Sequence, residues 1–234
     1  KNYLPYLGIY IYDKNLIEAN DCSLRHLQFI YGSISHMNKN LEGRRKIYSF
    51  FGDSLAVFEY LNSIFDVANV YSYQETGNLL SYRRDIKIRA YLKENNIKFS
   101  EHEKDGIIRG LKNRRGWDRN WYKIINERII KNTFKNYIND SLDFKHYKLP
   151  KSFTSEVKLI SAKFQKPGSS NGHTLLKSFT DKRGFNYSKH ISKPHESTFS
   201  CSRISTYLTW GNISAKQAYQ YVKKNENFLK HKRS

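Results

Sequence analysis

The sequence predicts an α/β fold: a parallel sheet with right-handed crossovers in its first part, followed by helical segments. Three observations predict it. Aromatic and β-branched runs alternate with stretches of helical period through the first hundred residues. The spacing between successive runs is that of strands joined by single helices, which places them parallel. From about Gly106 the alternation stops, and basic, polar and helical stretches replace it. At 234 residues the chain can form one large domain or two ordinary ones around a real core.

The elements follow in order. Tyr6–Tyr12 is a run of aromatic and β-branched residues, the composition of a buried strand. Ser23 is placed to cap a helix whose apolar positions Leu24, Leu27, Ile30, Ile34, Met37 and Leu41 recur at three and four. Lys46–Gly52 reads as a second strand. Asp53 then caps Leu55–Phe65, with Leu55, Phe58, Leu61, Ile64 and Phe65 on one face. Val67–Tyr73 is a third strand, Leu79–Glu94 a helix carrying Ile86, Ile88, Tyr91 and Leu92, and Ile97–Glu101 a short fourth strand. Gly8 and Gly52 stand alone, so the glycine-rich phosphate loop of ordinary dinucleotide sites is not supported.

Gly106–Trp121 is a basic loop leading into a helix at about Trp121–Tyr137. Residues 138–172 are polar and irregular, with Pro150 and a Pro-Gly-Ser-Ser-Asn-Gly cluster, which is the signature of a linker. Helical spacing resumes at Thr174–Lys182 through Leu175, Leu176 and Phe179. It returns after Ser214 in Ala215–Lys224, and the basic end Phe228–Ser234 is expected to fray.

Charge divides the chain. Residues 1–103 hold 13 Lys/Arg and 12 Asp/Glu, while residues 104–234 hold 28 and 9. The second part therefore expects a polyanionic partner, nucleic acid before membrane. Cys22 and Cys201 lack any close companion, which argues against a disulfide framework or zinc site and fits a reducing cytoplasm. No run reaches the length of a membrane span, and the start has no signal-peptide plan. The eight His residues show no metal-binding spacing, no hydrolase elbow is present, and Glu75 and Asp85 read as structural. No catalytic residue is assigned.

One stretch carries the chemistry. Residues 200–214 gather small hydroxyl side chains, Arg203, Tyr207 and Trp210 into a short run, a composition that suits a phosphate-bearing ligand. Ser200, Ser202 and Ser205 would supply hydroxyl donors, and a helix start would supply N–H groups. The competing reading is a serine-rich cap over a buried Tyr207–Trp210 pair. Trp117, Trp121, Arg114 and Arg115 could form a stacking platform for single-stranded nucleic acid. The preferred reading has the tryptophans pinning the basic segment onto the first domain's sheet.

Residues 178–217 also carry a resemblance. Ser178-Phe-Thr-Asp-Lys-Arg-Gly-Phe-Asn-Tyr187 resembles the helix and tyrosine that open the flavin domain of photolyases and cryptochromes. Cys201-Ser-Arg-Ile-Ser-Thr-Tyr-Leu208, with Trp210-Gly-Asn-Ile-Ser214 and Gln217, is similar to that family's flavin-phosphate loop. The usual pattern there is Thr or Cys, then Ser-Arg-Leu-Ser-Pro-Tyr-Leu, so Thr206 stands where proline is usual. Glu75-Thr-Gly, Arg84-Asp85 and the Gly106–Trp121 run resemble the family's N-terminal domain.

The resemblance implies a Rossmann-like α/β domain at 1–125, a linker at 126–172, and the first helices of an all-α FAD-binding domain at 173–234. It implies FAD as cofactor, with Tyr187, Cys201, Ser202, Arg203, Ile204 and Ser205 as its contacts. Lys182, Arg183 and Lys189 are the expected DNA contacts. A second, antenna chromophore is possible on the sheet, without a residue to identify it. The implied activity is light-driven splitting of pyrimidine dimers in damaged DNA, double- or single-stranded. The alternatives are a blue-light sensor without repair, or a non-catalytic basic DNA-binding fragment. The family's opening strand and the helices after the loop have no counterpart here, which gives the expectation of a chain truncated at both ends, with FAD held weakly or not at all and an unpartnered face on Ala215–Val222.

Overall fold

The structure, a computed structural model, describes residues 4–233; expectations that touch residues 1–3 and 234 lie outside the described residues. The chain forms two compact units. One comprises the chain up to Arg114 together with Asn132–Ile160, and the other comprises Arg115–Lys131 and the chain from Ser161 onward.

The first unit holds β1 (Ile9–Asp13), α1 (Lys14–Ile17), α2 (Leu24–Asn40), β2 (Tyr48–Gly52), α3 (Ser54–Ile64), β3 (Asn69–Tyr73), α4 (Leu79–Glu94) and β4 (Lys98–His102). The helix starts are fixed by side-chain caps: Asp53 Oδ1 accepts from the Ala56 N–H at 3.0 Å, and Asn78 Oδ1 from the Ser81 N–H at 2.9 Å. All strands are parallel. β1 pairs with β2 from Ile9↔Tyr48 to Asp13↔Gly52, and β3 with β4 from Asn69↔Lys98 to Tyr73↔His102. The single ladder expected from the repeat is divided into these two pairs, and among the described residues no ladder joins β1 to β3.

Strand alternation sets the layers. Ile9, Ile11, Tyr48 and Phe50 face a core that includes Val57 and Leu61 of α3. Tyr10, Tyr12 and Phe51 face the opposite way, toward Leu27 and Ile30 of α2. A third cluster of Ile88, Leu92 and Ile97 lies where α4 covers β3 and β4. The first unit is thus a sheet layer between helices, as a parallel sheet requires.

The segment expected as linker differs from that reading. Phe144 is buried among the rings of Tyr48, Phe50 and Phe65, with centroids 5.0, 4.9 and 6.2 Å away. The main-chain oxygen of Tyr147 accepts from the Phe51 N–H at 2.8 Å. α6 (Lys151–Val157) then lays Val157, wholly buried, against Tyr12, Leu27 and Ile30. Residues 132–160 form a strap on the first unit. Its polar composition hides a few apolar anchors whose burial contributes roughly 1.5–3 kcal/mol each.

Tyr137 fastens the strap. Its hydroxyl accepts from the Gly8 N–H at 2.7 Å and donates to the Lys46 carbonyl at 2.8 Å, while Tyr6 forms an isolated parallel bridge to it. This explains two departures from the expected elements. β1 begins at Ile9 because Tyr6 is engaged by Tyr137 instead of β2. The helix expected over Trp121–Tyr137 ends at Asn126 because residues from Asn132 onward are bound into the other unit.

Charged contacts hold the far edge. Glu101 takes hydrogen bonds from Arg89 at 2.5 Å and from Arg109 at 3.2 Å, while Arg109 lies over the Tyr82 ring and Arg89 over Phe99. Burial pushes the Glu101 carboxyl upward, but the hydrogen bonds from Arg109 and Arg89 outweigh it and hold the group below its ordinary value. Asp85 goes the other way, raised by burial despite Arg84 at 2.6 Å. Glu75 reaches the same guanidinium at 4.0 Å, so the two carboxylates are joined through an arginine and work as a structural clamp.

Tyr137→Phe removes both phenol hydrogen bonds and is expected to destabilise the first unit by about 1–3 kcal/mol, read as a lower urea midpoint and faster amide exchange in β1. For Glu101, whose folded value lies below the unfolded value near ~4.3, the stabilisation is present above that value and lost as pH falls through the folded one. Wild type should therefore exceed Glu101→Gln in urea midpoint at pH 7, with the two converging as pH falls through the folded value.

Candidate functional site

The second unit is helical: α5 (Trp117–Asn126), α7 (Ser169–Ser178), α8 (Tyr187–His190), α9 (Pro194–Ser200), α10 (Ser205–Thr209), α11 (Ala215–Lys224) and α12 (Glu226–Arg233). A π turn, Phe179–Arg183, continues α7, closed by a Gly184 N–H to Phe179 carbonyl bond of 2.8 Å. The helix expected at Thr174–Lys182 therefore starts earlier and changes winding before its end.

α7 and α10 come very close together. A Cβ on Gly172 would meet Ile213 and Tyr207 side-chain atoms at 2.6 and 2.7 Å, so only glycine permits this approach. Tyr207 is buried and donates its hydroxyl to the Lys166 carbonyl at 2.7 Å; burial pushes its phenol up. Asn212 Oδ1 accepts from the Gly168 N–H at 3.0 Å. The buried pair considered from the sequence resolves into a buried Tyr207 and a partly exposed Trp210.

α11 begins with a capping box: Ser214 Oγ accepts from the Gln217 N–H at 3.1 Å, and Gln217 Oε1 from the Ser214 N–H at 2.9 Å. Its expected unpartnered face is covered in part by α5. Trp121 packs edge-on to Tyr219 at 5.4 Å, and Gln220 Nε2 donates to the carbonyls of Ile125 and Glu127, capping the end of α5. The tryptophan expected against the first domain's sheet thus belongs to the helical unit. Trp121 finds there an aromatic partner of matching geometry. Phe228, expected in a frayed end, is buried in α12 with its ring 5.1 Å from Phe179.

These helices enclose an open cavity of about 1080 Å³. Tyr187, Cys201, Ser202, Arg203, Ile204 and Ser205 all line it, together with Phe179, Phe185, Lys189, Tyr219, Val222 and others. The six residues singled out as cofactor contacts are therefore brought to one cavity. The lining contains Arg203 and Lys189 and no Asp or Glu among the described residues, so the cavity presents cationic and hydroxyl groups to an anion. Arg203 has a left-handed backbone, φ 63°, followed by Ile204 at φ −95° and ψ −2°. Such paired opposite-handed residues make consecutive N–H groups converge, a shape suited to anions. Ser200 differs from its expected role: it is buried and donates its hydroxyl to the Glu196 carbonyl at 3.0 Å.

Lys182 and Lys189 are exposed. Arg183, grouped with them as a DNA contact, is turned inward, which corrects that reading. Its Nε donates to Ser178 Oγ at 3.2 Å, one terminal nitrogen to the carbonyls of Phe199 at 3.1 Å and Cys201, and the other to Leu175 and Ser202 at 3.0 Å each. Burial, then the neighbouring charge of Arg203, lowers its guanidinium from the ordinary value. The physical reason is the π turn: one residue more per turn rotates Arg183 off the basic face that regular α winding assigns to it. No periodicity argument from sequence signals that change, and the inward position of Arg183 is what the sequence concealed.

Among the described residues no helix is long and apolar enough to cross a membrane, and no group of three or more His, Cys, Asp or Glu residues could hold a metal ion.

Three solved structures share this fold. A photolyase from the archaeon Sulfolobus tokodaii, described as carrying two FAD molecules with the implication of a novel light-harvesting cofactor, matches 97% of this chain at 23% identity and a TM-score of 0.69. A class III photolyase from the bacterium Agrobacterium tumefaciens matches 97% at 13% identity and 0.65, and a cryptochrome from Synechocystis sp. PCC6803 matches 94% at 14% identity and 0.65. The chain spans 50%, 51% and 50% of their respective lengths. No protein-family model and no curated protein matches the chain. The α/β arrangement followed by helices is thus the fold of photolyases and cryptochromes, as the sequence motifs implied.

Gly172→Ala should lower the thermal midpoint of the helical unit by an overpacking cost of about 1–3 kcal/mol, measured by the near-ultraviolet signal of its aromatic rings.

Proposed function

We propose that the chain is the flavin-phosphate-binding part of a photolyase/cryptochrome flavoprotein, acting in light-dependent repair of pyrimidine dimers in DNA. One observation carries the reading. The Cys201–Ser205 loop, which resembles the family's flavin-phosphate loop, lines a large cavity bordered by Arg203 and Lys189 and, among the described residues, by no carboxylate. The residues present fit FAD. A diphosphate would meet the hydroxyls of Ser202 and Ser205 and the cations, while Phe179, Phe185 and Tyr187 offer apolar contact to rings.

When bound, the flavin supplies the light-driven electron donation; the protein's share is binding and placement. Arg203 and Lys189 offset the diphosphate charge. Ile204 is buried within the loop and borders the cavity. Photolyases reach their target by extruding a base from the duplex, and a basic surface serves that need by neutralising phosphates. The surplus of Lys and Arg after residue 103, with Lys182 and Lys189 exposed, supports DNA as the partner.

Titration of the purified chain with FAD is expected to quench flavin fluorescence, with Ser202→Ala and Arg203→Ala each weakening the affinity about threefold to thirtyfold. Unchanged fluorescence at saturating protein would refute the reading. Binding to a dimer-containing duplex should weaken steeply between 50 and 200 mM salt, and loss of dimers under blue light separates repair from light sensing. DNA binding without any flavin binding would leave a basic DNA-binding module as the answer.

A further inference from the structure

We propose that Arg183 is a positioning residue for the anion-binding wall: it draws the loop carbonyls inward and thereby aims the peptide N–H groups of Ser202 and Arg203 at a phosphate or diphosphate. The inference rests on the proposed phosphate-bearing ligand and deepens it by assigning the device that shapes its site.

The argument starts from peptide geometry. A trans peptide places its C=O and the following N–H on opposite sides, and the chain contains no cis bond among the described residues. The Cys201 and Ser202 carbonyls both accept from Arg183. The N–H groups of Ser202 and Arg203, which belong to those same two peptides, therefore point away from the guanidinium. Cys201, Ser202 and Arg203 line the cavity. Their inward carbonyls and outward amides are two sides of one constraint.

Arg183 is suited to that task in a way that other cations are not. Its rigid planar fork offers five donors, and each is directed to a protein acceptor, four main-chain carbonyls and Ser178 Oγ. The Phe199 carbonyl lies in the last turn of α9, where carbonyls lack helical partners and a cation is favoured. No described carboxylate forms an ion pair with Arg183. Its positive charge therefore remains available to an anion on the far side of the two peptides. A lysine at this place would keep the charge but could not span carbonyls from α7, α9 and the loop.

The test uses the full chain with inorganic pyrophosphate and FAD as probes, followed by calorimetry and flavin fluorescence. Arg183→Lys and Arg183→Gln are both expected to weaken pyrophosphate and FAD at least tenfold, and millimolar methylguanidinium is expected to restore most of the loss in Arg183→Ala. In the wild type, pyrophosphate should slow amide exchange at residues 202 and 203, a readout that does not depend on any variant folding. Arg183→Lys binding as tightly as wild type, or no protection at those two amides despite binding, would overturn the inference while leaving the flavin reading intact. A wild-type chain that binds neither probe overturns both.

Discussion

The first unit hangs on two hydrogen bonds to one phenol. Tyr137 joins the backbone of Gly8 to that of Lys46, at the entry to both strands of the β1–β2 pair. Its position also decides the path of the chain, which leaves the sheet unit after Arg114, contributes α5 to the helical unit, and returns at Asn132. Everything after that return depends on it: Phe144 enters the aromatic core, Tyr147 meets β2, and Val157 closes the face carrying Tyr12. Net hydrogen-bond energies of about 1 kcal/mol each are modest, but they fix where several large apolar anchors become buried.

In the helical unit the comparable constraint is a change of winding. The π turn at Phe179–Arg183 carries a basic side chain from a surface stripe to the interior. There it is held by carbonyls instead of carboxylates, an arrangement that leaves its charge unneutralised beside a cavity with no acidic lining among the described residues. Close contact between α7 and α10 at Gly172 keeps the same loop from shifting outward. Site shape and site electrostatics thus come from the same few residues.

Much of this was legible in the residues. The Asp53 cap and the strand composition of Lys46–Gly52 are local signals, and local hydrogen bonds and solvent contrast realise them directly. The flavin-like loop was legible as a motif because its five residues Cys201–Ser205 are contiguous and needed only one local conformation to line the cavity, which Tyr187 joins from a separate helix. The strap was illegible for the opposite reason. Phe144, Tyr147 and Val157 are isolated apolar residues in a polar stretch, without period, and their partners, such as Phe50, Phe51 and Tyr12, lie far away in sequence. Trp121 was misplaced for the same cause, since an aromatic side chain on a helix start does not declare which unit holds its partner.

The sequence by itself determined the alternation of strands and helices, their parallel direction, the charge asymmetry and the identity of the loop that lines the cavity. These follow from propensities, caps and contiguous chemistry, which act over a few residues. Only the tertiary structure decided that Arg183 faces the loop carbonyls, that α5 serves the helical unit, and that the expected linker is a strap. Those outcomes depend on helix winding and on long-range partners, and the balance is set by which distant surfaces can bury an aromatic ring or satisfy a guanidinium.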